Sequence, residues 1–133
     1  MKIVVAGGRE QADYLTGLLK NTRKHLVLIN EDRSYCEYLS AKYDMEIQLG
    51  DPCLEAVLEE SGIRGSDLLI ALKPSDADNL EICQMAKRLF GVKRTMCLAA
   101  NPANVDIFQN LGVDRVVSIP HILDSLIRQD GMG

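Results

Sequence analysis

Apolar residues recur along this chain in two alternating rhythms. Short, nearly unbroken apolar runs at residues 3–6, 26–29, 46–49, 68–72, 95–99 and 115–118 have the length and composition of strands covered on both faces. Between them lie helix-length segments over about 10–22, 32–42, 53–61, 76–90 and 103–111, with a last one near 120–129. Ile82, Cys83, Ala86, Leu89 and Phe90 follow the spacing of one helical face turned to a sheet. Strand and helix signals alternate from end to end. That order predicts an α/β fold, a Rossmann-like, doubly wound parallel sheet of about six strands flanked by helices.

Local punctuation agrees with this division. Gly62 and Gly91 sit just past predicted helix ends, where a left-handed residue commonly stops a helix. Asp51-Pro52 and Asn101-Pro102 each place a capping residue before a proline suited to a first helical turn. The final segment differs from the rest. Ile119, Ile122, Leu123, Leu126 and Ile127 form an apolar stripe that no strand follows. It either folds back on its own sheet or acts as a crossover or dimerisation helix packed on a neighbour. The chain therefore divides into a Rossmann-like domain over 1–118 and a C-terminal helix and tail over 119–133.

Composition narrows the function more than the fold. The 133 residues carry a net charge of −4. With a pI near 5.1 and no basic run, the sequence argues against a nucleic-acid surface. No apolar run approaches the roughly 20 residues of a membrane span, and strand-like sequence begins at residue 2, so no secretion signal is expected. Cys36, Cys53, Cys83 and Cys97 include no C-x-x-C pair, and Cys83 and Cys97 read as buried thiols. No metal site is predicted.

The turn after the first strand carries the main chemical signal. Gly7-Gly8-Arg9-Glu10-Gln11-Ala12 sits where a dinucleotide fingerprint G-x-G-x-x-G/A belongs. Gly7 fills the first position and Ala12 the third, but Arg9 replaces the second glycine, which normally lets backbone approach a pyrophosphate. Gly7, Gly8, Arg9 and Glu10 are thus candidates for the phosphate end of a nucleotide site. Asn30 ends the second strand, where an NAD site carries an acidic residue for the ribose. Asparagine keeps the hydrogen bonds without the charge, and Glu31, Asp32 and Arg33 are the adjacent substitutes. Gly50 and Asp51 follow the third strand and Lys73 the fourth, all on the edge where ligands bind. Asp51 also suits the cap of the next helix, Ser75 or Asp76 that of the one after, and Asn79 is placed to steady the loop. No catalytic residue is predicted: His25 and His121 have no triad partner in sequence context, and no P-loop or H-E-x-x-H motif occurs.

Taken together, residues 2–8, LVLINED (26–32), QLGDPCLEAVLEESGI (48–63), the segment 66–94 beginning SDLLIALKPSDADNLEICQ, and NPANVDIFQNLGVDRVVS (101–118) resemble the TrkA N-terminal family. This is the nucleotide-binding half of the RCK (regulator of potassium conductance) domain. The resemblance implies a non-enzymatic, cytoplasmic regulatory subunit at the inner face of the membrane. It implies binding of NAD(H), ATP, ADP or AMP, homodimers or higher oligomers, and a membrane potassium channel or transporter as partner. It also implies ligand-lining roles for Gly7, Asn30, Asp51 and Lys73. Arg9 and Asn30 depart from the pattern and favour AMP, ADP or ATP over NAD(H). The family's C-terminal regulatory lobe is not in this sequence, as expected of a fragment or a minimal subunit. Two other readings stand beside this one, a small NAD(P)-dependent oxidoreductase and an assembly module with a vestigial cleft.

Overall fold

The computed structural model describes residues 1–20 and 24–131. Six strands, β1 (Lys2–Ala6), β2 (His25–Asn30), β3 (Glu46–Leu49), β4 (Leu68–Ala71), β5 (Arg94–Leu98) and β6 (Arg115–Val117), alternate with six helices. The helices are α1 (Glu10–Leu19), α2 (Arg33–Lys42), α3 (Glu55–Glu60), α4 (Asp76–Phe90), α5 (Asn104–Asn110) and α6 (Ile119–Gln129). All strand pairs are parallel, in the order β3-β2-β1-β4-β5-β6. The order reverses between β1 and β4, the switch point at which open α/β sheets bind ligands.

Alternation along β1 builds both layers of the core. Val4 and Ala6 face one side with Leu58 of α3, Ile82 and Phe90 of α4 and Phe108 of α5. Ile3 and Val5 face the other with Ala12 of α1 and Leu39 of α2. The predicted α4 stripe holds except at its edge, where Leu89 is exposed while Ile82, Cys83, Ala86 and Phe90 are buried. Cys83 and Cys97 are buried free thiols, as their apolar surroundings suggested.

Two helix starts lie later than expected. Asp51 Oδ1 accepts from the Cys53 N–H at 2.9 Å, and α3 begins only at Glu55. Asn101 Oδ1 accepts from Ala103 N–H at 2.9 Å, with α5 beginning at Asn104. In both, the side chain closes a local turn two residues on rather than capping the helix, and the residue before proline is steered away from helical backbone. Asp32 and Ser75 do cap α2 and α4, accepting from Tyr35 N and Asp78 N. Residues 21 and 22 of the predicted first helix lie outside the described residues.

The last helix is unlike the others. None of its residues is buried, and Ile119, Ile122, Leu123, Leu126 and Ile127 are all exposed. Within one chain, the fold-back on its own sheet is therefore not the arrangement seen.

Candidate nucleotide site

The chain must turn sharply to leave β1 for α1, and both glycines of that turn are required by shape. Gly7 has φ +76° and Gly8 φ +89°, backbone that L-residues other than glycine rarely adopt. A Cβ on Gly7 would stand 2.5 Å from Lys73 Cγ, and one on Gly8 would stand 2.9 Å from Leu72 Cβ. The backbone thus lies directly against the end of β4. Side chains cap α2 and α4, whereas α1, like α3, α5 and α6, has no capping side chain. The amino-terminal N–H groups and positive dipole end of α1 remain available to an anion.

A cleft of about 530 Å³ opens over this turn. Of the ten predicted site residues, Gly7, Gly8, Arg9, Asn30, Asp32 and Lys73 line it, joined by Glu31 and Leu98. Glu10, Arg33, Gly50 and Asp51 do not. Glu10 opens α1, Gly50 donates its N–H to Asn30 O, and Arg33 borders a separate groove beside Glu37 and Ser40. Past Lys73, Pro74 and Leu98 a second compartment of about 230 Å³ continues to Val117, Ile119 and Pro120.

Asn30 is placed differently from a ribose-binding residue. It is buried, its Nδ2 donates to Gly8 O at 2.7 Å, and its Oδ1 accepts from Asp32 N at 3.0 Å. Both ends of the amide brace the glycine turn, because a neutral amide can donate to a carbonyl where a carboxylate cannot. Two acidic residues next to Asn30 line the cleft, Glu31 and Asp32. The Asp32 carboxylate pairs with the Arg9 guanidinium, which lies 5.0 Å above the Tyr35 ring, while Tyr35 Oη donates to Arg9 O. The Tyr35 N–H, and after it Arg9, holds the Asp32 carboxyl below its ordinary range. Arg9 and Asp32 thus join the α1 and α2 sides of the cleft mouth. Both ends of this ion pair, Arg9 and Asp32, stand out in the sequence, but nothing local assigns Tyr35 to it.

Lys73 is the second cation of the cleft, and it is largely enclosed. Its Nζ lies 3.1 Å from Asp51, 3.3 Å from Glu31 and 3.4 Å from Asp78. Burial disfavours its charge, but Asp51 foremost among these partners more than compensates, and its pKa is raised. Asp51 is lowered in turn, first by the Cys53 N–H and then by Lys73. Burial pushes the nearby Cys53 thiol up to about 11, so it stays protonated at neutral pH. Beneath the loop, Asn79 is fully buried. Its Oδ1 accepts from Lys73 N at 2.9 Å, and its Nδ2 donates to Lys73 O and Leu98 O. Asn79 therefore fixes Lys73 relative to β5, as its position one turn into α4 suggested. Asp78, three residues from the capping Ser75, is a partner the sequence reading missed. His25 lies at the far edge of the sheet, 2.9 Å from Glu46.

Residues 3–119 match the model of the TrkA-N domain. The chain is 29% identical over 130 residues to the Trk system potassium uptake protein TrkA of Mycobacterium tuberculosis, covering 97% of this chain and 59% of that one. It is 24% identical over 123 residues to the protein of the same name from Haemophilus influenzae, covering 92% and 27%. The chain thus spans between about a quarter and three fifths of the length of these relatives. In fold it is similar to the TrkA-N domain of the inner membrane protein ybaL from Escherichia coli, with a TM-score of 0.82, 19% identity and coverage of 96% and 93%. It is likewise similar to the GsuK channel bound to NAD (0.76, 19%, covering 87% and 21%). The AMP-bound Kef C-terminal domain of Shewanella denitrificans gives 0.75 at 21%, covering 97% and 77%.

Proposed function

Because this chain belongs to the TrkA-N domain family, we propose that it is a regulatory nucleotide-binding module of a potassium uptake system. In this reading it senses an adenine nucleotide in the cleft over Gly7 and Gly8, carries out no chemistry, and passes the signal to a membrane channel or transporter. One observation carries the reading: a turn of two positive-φ glycines, flush against β4, beside an α1 amino terminus with no capping side chain. A phosphate fits that position by charge and by the N–H groups that face it.

The choice among nucleotides follows from Arg9. Its side chain stands where a dinucleotide fingerprint has glycine and is tied across the mouth to Asp32, which narrows the path of a pyrophosphate. AMP, ADP or ATP is therefore preferred to NAD(H), with Asp32 rather than Asn30 facing the ribose. The relatives' ligands, AMP in one structure and NAD in another, support the class and leave this preference to the chain's own residues. Calorimetry against AMP, ADP, ATP, NAD and NADH tests it. NADH bound tenfold more tightly than every mononucleotide, a gap of about 1.4 kcal/mol, overturns the preference, and no binding of any nucleotide overturns the function.

A further inference from the structure

The edge of the sheet opposite the cleft, where the strands begin, has a different electrostatic character from the chain as a whole. Lys20, Lys24, Arg88, Arg94 and Arg115 are exposed there, and none has a carboxylate within ion-pair distance among the described residues. Four carboxylates of this edge are engaged, Glu46 by His25, Glu59 by Arg64, Asp67 by Lys93 and Asp114 by Lys87, while Asp44 lies there beside Lys24 and His25. The helix dipole accounts for cations at helix ends such as Lys87 and Arg88. It does not account for Lys24, Arg94 and Arg115, which precede or open strands β2, β5 and β6. Four strand spacings separate β2 from β6, so these cations, none held in an ion pair, form a row roughly 19 Å long.

A second cleft of about 530 Å³ lies between the ends of α1 and α2. Its lining is mixed in charge, with Lys20, Lys24 and Lys42 beside the carboxylates Asp44 and Glu46, so the cations at the strand starts, rather than this hollow, carry the positive character of the edge.

We propose that this edge docks on the anionic headgroups of a phospholipid bilayer, with the nucleotide cleft facing away from the lipid. A bilayer fits better than a nucleic acid: the cations are tips of separate elements spread along a row, with no exposed aromatic platform among them for bases. Clustered Lys and Arg without partners are what an anionic leaflet attracts. The proposal rests on the membrane-linked reading above, but it can fail separately from it, since nucleotide binding occurs at the other edge.

Vesicle co-sedimentation tests this with the whole chain. At about 20 mM salt the chain should bind phosphatidylcholine vesicles containing about 30% phosphatidylglycerol and ignore pure phosphatidylcholine, with binding lost at about 500 mM salt. Because the net charge is −4, nonspecific attraction would have the wrong sign. Replacing Lys20, Lys24, Arg94 and Arg115 together by Gln should weaken binding by about tenfold or more. A control with Arg33→Gln, at the start of α2 on the opposite edge, should bind normally. If the fourfold variant is misfolded, the pair Lys24→Gln and Arg94→Gln serves in its place. No binding at low salt, equal loss in the control, or capture of RNA with no binding to vesicles overturns the proposal. Normal nucleotide affinity in the fourfold variant shows that the two edges act independently.

Discussion

At the scale of single residues, the site is governed by two that hold its shape rather than face a ligand. Asn79 makes three hydrogen bonds from a fully buried side chain. Asn79→Ala leaves the backbone groups of Lys73 and Leu98 O without partners, and unpaired buried polar groups cost about 1–3 kcal/mol each. We expect a loss of roughly 2–4 kcal/mol in a urea melt, with weakened nucleotide binding even where the fold persists. Arg9 tests the ligand choice directly. Arg9→Gly opens the mouth and restores the missing glycine of the fingerprint, so AMP and ADP should weaken while NAD(H) improves in calorimetry. Unchanged affinities for all of them would mark Arg9 as a bystander. Arg9 was identifiable from sequence because a cation in a glycine position stands out. Asn30 was identifiable as an exception but not as a brace. Its partner, the Gly8 carbonyl, is presented to it only when β2 lies beside β1.

Among the elements, strand and helix order was legible because apolar runs and stripes obey different periods, and every strand was placed within a residue or two at each end. The starts of α3 and α5 were not. Asp-Pro and Asn-Pro are equally good openings for a cap and for a side-chain turn, and nothing local decides between them. Asp76 shows the same ambiguity with a larger consequence. Ser75 caps α4, which frees the Asp76 carboxylate to accept from Ala100 N, Asn101 N and Asn104 Nδ2. It therefore ties α4 to the loop after β5. Burial opposes its charge, but these donors, the Ala100 N–H first, outweigh it and lower the pKa from the ordinary 3.8. A carboxyl with a lowered folded pKa stabilises fully above its unfolded value and loses that contribution as pH falls through the folded one. Asp32, Asp51, Asp67 and Asp114 are shifted in the same direction. Stability should accordingly be flat from neutral pH to about 5 and fall below about 4. In Asp76→Asn the neutral-pH stability should drop by about 1–2 kcal/mol and the acid-induced loss should shrink. An identical pH profile in the variant would remove Asp76 from this account.

For the whole molecule, the open question in the sequence was what the last apolar stripe touches. In a single chain it touches nothing that buries it, and an exposed face of five large aliphatic side chains on α6 favours association. A two-fold dimer is the simplest closed arrangement. Leu123→Asp with Ile127→Asp should convert an oligomer into a folded monomer in sedimentation experiments, with little change in thermal stability per chain. A wild-type chain that remains monomeric at high concentration would reject the dimer. Sequence alone left this choice open because periodicity shows that a face is apolar but not which surface it meets.

The clasp between Arg9, Asp32 and Tyr35 has an optical consequence. The chain contains no tryptophan and four tyrosines, so its ultraviolet emission is tyrosine emission. Tyr35 and Tyr38 stack with centroids 5.8 Å apart, and Arg9 and Lys42 lie over their rings. Tyr35 itself donates to the backbone of the turn. A ligand that draws the guanidinium off Asp32 also lifts a charge from a fluorophore at the rim of its own cleft. The protein thus carries an intrinsic reporter for the opening of that clasp.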